Sequence, residues 1–391
     1  MRCLSLLTAV VFIIGLFSSA SSHAEVAPKN AIVEALQPFV DSGTLAGAVL
    51  AVASKEKILS LDAVGFEDIA GKKSMRPDSL FWIASMSKPM TATALMMLVD
   101  DGKLDPDDLV EKYLPEFKEL MLETGSGKEL KKPSRPIAIK DILSHTSGMG
   151  FMSGIEQGKV DGYSLREAVL SYAKMPLKTE PGTKYAYSNA GINTVGRIIE
   201  VVSGMPYETF MDERLLKPLG MKDTTFWPSE EQLKRIAKSY KPNKEKNGLE
   251  EIPVNQLHYP LTARTRGPSP AGGYFSTGAD MAAFGRMLLN GGELDGKRYI
   301  SEASLKRMTS KQTGNLDAGY GYGFSADKQP GRPFGHGGAY STDLRIDPQR
   351  QIVLVYLVQH AGYANADGGK IQPAFHKAAE TFGKQPAPAL K

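Results

Sequence analysis

The alternation of apolar and polar residues predicts regular secondary structure from early in the chain. Apolar positions spaced as on one helix face indicate a helix near Ala31–Asp41. Two apolar runs follow, at about Gly47–Ala53 and residues 57–66, separated by the polar pair Lys55-Glu56. Two such runs joined by a short polar turn are typical of a β-hairpin. The chain is therefore expected to enter a sheet before residue 70.

The C-terminal part shows the same mixture of patterns. A helix is predicted at residues 279–290, strands between 320 and 358, and an amphipathic helix at 371–382. Between these two regions, helical segments alternate with loops rich in proline, glycine and lysine. This order predicts an α/β fold, with one sheet domain built from both chain ends and a mainly helical domain inserted between them. The expected boundaries are residues 1–24 for a signal peptide, 25–100 and 269–391 for the sheet domain, and 101–268 for the inserted domain.

The first residues have the pattern of an export signal. Arg2 supplies a positive charge, and residues 4–17 form an apolar core too short to span a membrane comfortably. Ser22 and Ala24 place small side chains three residues and one residue before the expected cleavage site, so cleavage is expected before Glu25. Cys3, the sole cysteine, lies within this signal, so the mature chain would have no disulfide. We expect a periplasmic or secreted protein, without stable membrane insertion after cleavage.

Composition favours a folded enzyme. The chain has 391 residues, of which 42% are hydrophobic and 23% charged, with a net charge of +4, enough material for a large core. The densest basic segment, residues 128–135, is broken by proline and has no interleaved aromatics, which argues against nucleic-acid binding. The histidines lack the spacing of a zinc site, and no convincing phosphate loop is present. We expect no metal and no cofactor.

Candidate chemistry begins with Ser85 and Lys88. Residues three apart lie on one face of a helix, so the ammonium can meet the hydroxyl and activate it as a nucleophile. The apolar run at 91–98 that follows indicates a buried helix, in which an unpaired lysine is costly. This context distinguishes the pair from three other Ser-x-x-Lys matches, which are Ser54 with Lys57, Ser171 with Lys174, and Ser325 with Lys328.

Two further motifs follow in order. Tyr187-Ser188-Asn189 lies in a turn before a helix predicted at residues 192–202. His336-Gly337-Gly338-Ala339 precedes two predicted strands at 341–347 and 351–359. Each motif is weak alone, since Tyr363-Ala364-Asn365 also fits Tyr-x-Asn. The ordered set is much more specific than any member.

With these motifs, the chain resembles the serine β-lactamase and penicillin-binding protein superfamily, in its class C-like branch. That branch includes class C β-lactamases, D-alanyl-D-alanine carboxypeptidases, D-aminopeptidases and esterases. The resemblance extends along nearly the whole mature chain and implies an antiparallel sheet flanked by helices, with the active site between two domains. Further similar stretches are residues 142–148, 216–221 and 270–277.

The resemblance implies a role for each motif residue. Ser85 would form an acyl-enzyme, and Lys88 would help to deprotonate it and keep the local field positive. Tyr187 would act as a phenolate or proton shuttle, with a pKa lowered by neighbouring cations. Asn189 would hydrogen-bond Lys88 and the acyl amide of the substrate. The backbone N–H groups of Ser85 and Ala339 would form the oxyanion hole.

One departure from the family pattern bears on the substrate. Class C enzymes usually have Lys-Thr-Gly where this chain has His336, Gly337 and Gly338, and the lysine and hydroxyl help to bind a substrate carboxylate. His-Thr-Gly occurs in family peptidases, so the missing hydroxyl at Gly337 is what favours an ester without that carboxylate. Alternatives stay open: the glycines could serve strand packing, His336 could bond only backbone, and His145 is expected to be structural.

The sequence therefore leaves three functions open. The first is a serine esterase or acyltransferase acting on small to medium esters. The second is a β-lactamase or D,D-peptidase acting on β-lactams or peptidoglycan fragments. The third is a non-catalytic protein that binds cell-wall or acyl ligands. The polar, proline-rich segment 241–270 is expected to form part of the cleft rim and to influence substrate choice. The oligomeric state is left open by the sequence.

Overall fold

The computed structural model describes residues 31–125, 129–327, 329 and 331–383. The predicted signal peptide lies outside the described residues. Within the described part, ten α-helices and fourteen strands occur. The helices are α1 (Ala31–Asp41), α2 (Ser87–Asp100), α3 (Ile139–Leu143), α4 (Leu165–Tyr172), α5 (Asn189–Ser203), α6 (Tyr207–Met211), α7 (Glu230–Leu233), α8 (Gly278–Leu289), α9 (Glu302–Thr309) and α10 (Gly368–Ala379).

Most strands belong to one antiparallel sheet or to short hairpins. Among the described residues the large sheet has six strands, in the order β12-β13-β14-β1-β2-β3. The strands are β1 (Gly47–Ala53), β2 (Ile58–Asp68), β3 (Lys73–Ser74), β4 (Phe81–Trp82), β5 (Leu122–Thr124), β6 (Glu129–Lys131), β7 (Ser239–Pro242), β8 (Leu249–Ile252), β9 (Phe275–Ser276), β10 (Glu293–Leu294), β11 (Lys297–Arg298), β12 (Phe334–Gly337), β13 (Asp343–Asp347) and β14 (Ile352–Leu357).

Strand β1 shows how the layers form. All of its residues are buried, and because strand side chains alternate between faces, each face receives half of them. Ala48, Leu50 and Val52 pack with α1 and α10 on one face. Val49 and Ala51 join the larger core on the other face, which includes α2 and α8. The sheet is thus covered by helices on both faces, which confirms the predicted antiparallel sheet flanked by helices.

The predicted elements match the observed ones closely at the chain ends. Helix α1 and strand β1 have the predicted bounds, and the final helix α10 begins slightly earlier than predicted. The central region is helical as expected, but it also contains the hairpins β5–β6 and β7–β8, which periodicity did not indicate. The division into two domains stays a prediction. In the described part of the chain, no helix has the length and hydropathy needed to cross a bilayer.

Candidate active site

Ser85 lies in a sharp turn between strand β4 and helix α2. Strand β4 pairs with β9, and Ile83 N donates to Tyr274 O at 3.0 Å, which anchors the chain just before the turn. Ala84 has a φ of +46°, in the left-handed region, so the backbone reverses there at some conformational cost. A 3₁₀ turn over Ala84–Met86 then leads into α2. Ser85 is partly exposed, as a nucleophile must be.

Lys88 is completely buried beneath Ser85. Its Nζ lies 3.0 Å from Ser85 Oγ, 2.8 Å from Asn189 Oδ1 and 2.6 Å from the carbonyl oxygen of Ala271. Burial lowers the pKa of Lys88 well below its ordinary value, because the charged ammonium loses its hydration. The charge of this buried amine therefore depends on whether its three partners accept or donate hydrogen bonds.

Burial favours the neutral amine of Lys88, and the three contacts can all be satisfied in that form. A neutral amine has two N–H donors and one lone pair. The oxygens of Asn189 and Ala271 can only accept hydrogen bonds, so they take both donors. The lone pair is then left for the Ser85 hydroxyl, which can donate as well as accept. In this arrangement Lys88 can remove the proton from Ser85.

Tyr187 and Asn189 are placed by the start of helix α5. The Ser188 side chain caps this helix by accepting from Gly191 N at 2.9 Å, and its hydroxyl donates to Gly150 O at 2.7 Å. This double anchor fixes Asn189 as the first residue of α5 and holds Tyr187 just before it. The Tyr187 hydroxyl hydrogen-bonds Ser85, and Lys88 Nζ lies 4.7 Å from the centre of the Tyr187 ring.

The lowered pKa expected for Tyr187 is wrong for this arrangement. Burial raises the pKa of Tyr187 above its ordinary value, and its hydrogen bond with Ser85 offsets this effect only in part. A phenolate is therefore disfavoured, and a protonated Tyr187 that shuttles a proton fits better. The expected positive field is also weakened, since desolvation lowers the pKa of the neighbouring Lys88.

The end of strand β12 packs against the nucleophile turn. Thr342 Oγ1 donates to Ile83 O at 3.3 Å, which places the 3₁₀ turn Ala339–Ser341 beside Ser85. At Gly338, a Cβ atom would lie 2.1 Å from Thr342 Oγ1 and 2.4 Å from Ile83 O. Close packing therefore explains Gly338, as one alternative held.

Gly337 differs from its neighbour. A Cβ there would meet nothing closer than 3.6 Å, so packing does not require glycine at this position. Gly337 is exposed at the edge of the strand, so the absence of a side chain there affects which groups a substrate can contact. Any substrate group at this edge meets backbone and not a hydroxyl.

His336 is buried and uncharged. Its Nδ1 lies 2.6 Å from Gly337 O, and its Nε2 lies 3.0 Å from the hydroxyl of Tyr320. Burial lowers the pKa of His336 to about 3, because the imidazolium would lose its hydration. The alternative in which His336 bonds only backbone is therefore incomplete, because Tyr320 is its second partner.

His145 lies on the opposite side of Tyr320. Its Nε2 is 3.2 Å from the Tyr320 hydroxyl, and Ser188 N donates to its Nδ1 at 3.2 Å. The His145 and Tyr187 rings are 4.4 Å apart. Burial lowers the pKa of His145 well below its ordinary value. Its contacts support the Tyr187 turn, in agreement with the structural role expected for it.

A family model described as Beta-lactamase matches residues 32–375. The chain belongs to the beta-lactamase family. Among the described residues of this beta-lactamase-family protein, no cluster of three or more potential metal ligands occurs.

Relatives within the family have different names. The chain is 32% identical over 292 residues to Penicillin-binding protein 4 of Amycolatopsis lactamdurans, covering 72% of each chain. It is 30% identical over 307 residues to Esterase EstB of Burkholderia gladioli, covering 72% of this chain and 74% of EstB. The fold is shared with EstCE1, described as a hydrolase with promiscuous acyltransferase activity, at a TM-score of 0.75 and 23% identity, covering 90% and 98% of the two chains. The beta-lactamase family thus includes relatives named for esterase and for penicillin-binding proteins.

Sequence reasoning missed two parts of this beta-lactamase-family site. One is the carbonyl oxygen of Ala271, a backbone acceptor for Lys88 that carries no side-chain signal. The other is Tyr320, which connects His145 with His336. The alternation of glycine and tyrosine over residues 319–323 was an available signal, because repeated glycines mark a loop and large aromatic side chains within it tend to be buried.

Proposed function

We propose that this protein is a serine hydrolase that forms an acyl-enzyme at Ser85 and acts on carboxylic esters. The observation that carries this proposal is the buried amine of Lys88, with two carbonyl acceptors and the Ser85 hydroxyl 3.0 Å away. Such a lysine is a suitable general base for a serine nucleophile. Membership of the beta-lactamase family is consistent with this chemistry.

The reaction follows from the placement of these groups. Lys88 takes the proton of Ser85 as Oγ attacks the ester carbonyl, and the backbone N–H groups of Ser85 and Ala339 stabilise the oxyanion. Protonated Tyr187 gives its proton to the leaving alkoxide and regains one from Lys88, which completes the acyl-enzyme. Water, or another alcohol, then attacks the acyl carbonyl by the reverse sequence and frees Ser85.

The strand edge supports an ester over a substrate with a leaving-group carboxylate. His336 is neutral with both ring nitrogens engaged, and Gly337 has no side chain, so neither provides a charged or hydroxyl contact. A carboxylate placed there would lose hydration without gaining a strong partner. The relative named Esterase EstB agrees with this preference.

A D,D-peptidase or β-lactamase is the second candidate. Asn189 is positioned as the first residue of α5, where its amide could contact the acyl amide found in peptidoglycan and β-lactam substrates. The relative named Penicillin-binding protein 4 also favours this candidate. The third candidate, a binding protein without catalysis, is disfavoured because Ser85, Lys88 and Tyr187 are assembled together.

The test is intact-mass analysis of the protein mixed with a p-nitrophenyl acyl ester or, separately, with a penicillin. Ester turnover without a penicillin adduct or penicillin hydrolysis, lost in Ser85→Ala, is the result expected for an esterase. A persistent penicillin adduct would favour a D,D-peptidase, and rapid penicillin hydrolysis would favour a β-lactamase. No adduct and no turnover with either compound would favour the binding protein.

We also propose that the protein is exported, with cleavage before Glu25 and activity in a periplasm or outside the cell. The support is the charge at Arg2, the apolar residues 4–17 and the small residues Ser22 and Ala24. N-terminal sequencing of the protein from the extracytoplasmic fraction is expected to begin at Glu25. Recovery in the cytoplasm with Met1 intact would contradict export.

A further inference from the structure

The hydroxyl of Tyr320 lies between two histidines that the proposed reaction does not use. Its oxygen is 3.2 Å from His145 Nε2 and 3.0 Å from His336 Nε2. All three side chains are buried. His145 lies beside the turn that holds Tyr187, and His336 lies on the strand that forms the opposite wall of the site.

The loop that contains Tyr320 is fixed on both sides. Ser325 and Gly335 exchange two backbone hydrogen bonds, at 2.9 and 3.1 Å, which attach the loop to strand β12. Gly323 N donates to Leu143 O at 3.2 Å, which attaches it to the end of α3, next to His145. The position of the Tyr320 hydroxyl is thus set by backbone contacts to both walls of the site.

The direction of every hydrogen bond in this chain can be assigned from its two ends. At one end, Gly337 O can only accept, so His336 Nδ1 carries the proton and His336 Nε2 accepts from Tyr320. At the other end, Ser188 N can only donate, so His145 Nδ1 accepts and His145 Nε2 donates to the Tyr320 oxygen. Both ends require the same direction through the tyrosine, with both histidines neutral.

With this direction, His336 has neither a free N–H donor nor a free lone pair with which to bind a substrate. Its one N–H is used by the backbone and its one lone pair by Tyr320. We propose that Tyr320 is a positioning residue that sets leaving-group specificity. By donating to His336 Nε2 it withholds this histidine from the substrate and makes the strand edge at Gly337 selective for uncharged leaving groups. The inference rests on the proposed function, because it concerns the leaving group of the Ser85 reaction.

The test compares two esters of one acyl acid, with 3-hydroxybenzoate or its methyl ester as the leaving group. We expect the unmodified protein to favour the neutral ester. Tyr320→Phe keeps the ring but removes the donor, so the lone pair of His336 Nε2 is released. A substrate carboxylate beside this nitrogen favours the imidazolium and opposes the effect of burial, so His336 Nε2 can then take a proton and pair with it. The ratio of kcat/KM for the acidic over the neutral ester should then rise about tenfold, the gain of one charge-assisted contact, mainly through a lower KM for the acidic ester.

A double variant shows whether His336 carries the effect. Adding His336→Ala to Tyr320→Phe is expected to return the ratio to that of the unmodified protein. Tyr185→Phe is the matched control. Its ring lies 5.8 Å from that of Tyr320 and 6.0 Å from that of His145, but the hydroxyl contacts to His145 and His336 belong to Tyr320, so the ratio should not change. An equal loss of activity toward both esters in Tyr320→Phe, or a raised ratio that persists in the double variant, would overturn the inference.

A measurement on the unmodified protein avoids any folding defect of the variants. In nitrogen NMR of histidine-labelled protein, His336 should keep a protonated Nδ1 and an unprotonated Nε2 from pH 5 to 8. Conversion of His336 to the imidazolium within this range would overturn the inference even if ester turnover is intact. Absence of ester turnover in the unmodified protein, with this tautomer intact, would instead count against the proposed function.

Discussion

Lys88 Nζ lies 2.8 Å from Asn189 Oδ1, although the two residues are 101 positions apart in the chain. The contact joins the N-terminal end of α2 to the N-terminal end of α5. Because the amide oxygen is uncharged, it orients the lysine without favouring its ammonium form as a carboxylate would. The pair therefore keeps Lys88 in place as a base while leaving its proton affinity low.

Asn189→Asp is expected to impair this base. A carboxylate 2.8 Å from Lys88 Nζ favours the ammonium, so the pKa of Lys88 should rise. The acidic limb of kcat/KM for a p-nitrophenyl ester should then move upward by about one to three pH units, as for other close opposite charges. The measurement is a pH–rate profile, with the remote surface change Asn247→Asp as control. An unmoved acidic limb would contradict the role of Lys88 as the base.

Lys88 should also make stability depend on pH. Its pKa in the folded state is lowered well below the ordinary value of 10.5. At a pH between the folded-state pKa and 10.5, Lys88 is therefore neutral in the folded chain and protonated in the unfolded chain. Unfolding then takes up a proton, and the free energy of unfolding rises with pH across this window, by up to about 1.4 kcal/mol per pH unit. Lys88→Met removes the group and should flatten this rise.

Urea unfolding at pH 7 and pH 9 measures the effect of Lys88→Met. Lys103→Met is the control, because that side chain is exposed and its removal should leave the slope with pH unchanged. Equal slopes for the Lys88 variant and the unmodified protein would show that the buried amine is not neutral in the folded state. The comparison needs no substrate and so does not depend on the proposed reaction.

The sequence predicted best what depends on local spacing. Strand β1 was found from its apolar run, and the meeting of Ser85 with Lys88 follows from helical geometry alone. Contacts between residues far apart in the chain were harder to predict. The Lys88 contact with Ala271 O involves a backbone atom, and the raised pKa of Tyr187 depends on how deeply neighbouring elements bury it. Sequence spacing contains neither quantity, so the motif was identified while the direction of the Tyr187 pKa shift was predicted wrongly.

Gly337→Thr should extend the substrate range toward acidic leaving groups. The position has room for a side chain, and the change restores the hydroxyl of His-Thr-Gly. One added hydrogen bond to a carboxylate should raise kcat/KM for the 3-carboxyphenyl ester about tenfold relative to its methyl ester. Gly338→Ala is the contrasting variant. Its Cβ would overlap Ile83 O and Thr342 Oγ1, so both activity and thermal stability should fall. An unchanged ester ratio in Gly337→Thr would argue that this edge does not contact the leaving group.

Phe151 is expected to favour apolar acyl groups. Its ring stacks on that of Tyr187 with centroids 6.4 Å apart, yet the residue is 50% exposed, so an apolar surface is presented directly beside the reacting groups. An extended acyl chain that covers this ring would remove apolar area from water, whereas an acetyl group is too short to do so. Phe151→Ala should therefore lower kcat/KM for an octanoyl p-nitrophenyl ester about fivefold while changing the acetyl ester little.

A series of p-nitrophenyl esters from acetyl to decanoyl tests this role of Phe151. Leu130→Ala provides the control, because it removes a comparably exposed apolar side chain, at 55%, from the β5–β6 hairpin, which contributes none of the reacting groups. The increase of kcat/KM with chain length should persist in the control and be reduced in Phe151→Ala. If both variants keep the same dependence on chain length, the acyl chain does not lie on Phe151. If Phe151→Ala lowers activity equally for every ester, the ring acts by supporting Tyr187 and not by binding the acyl group.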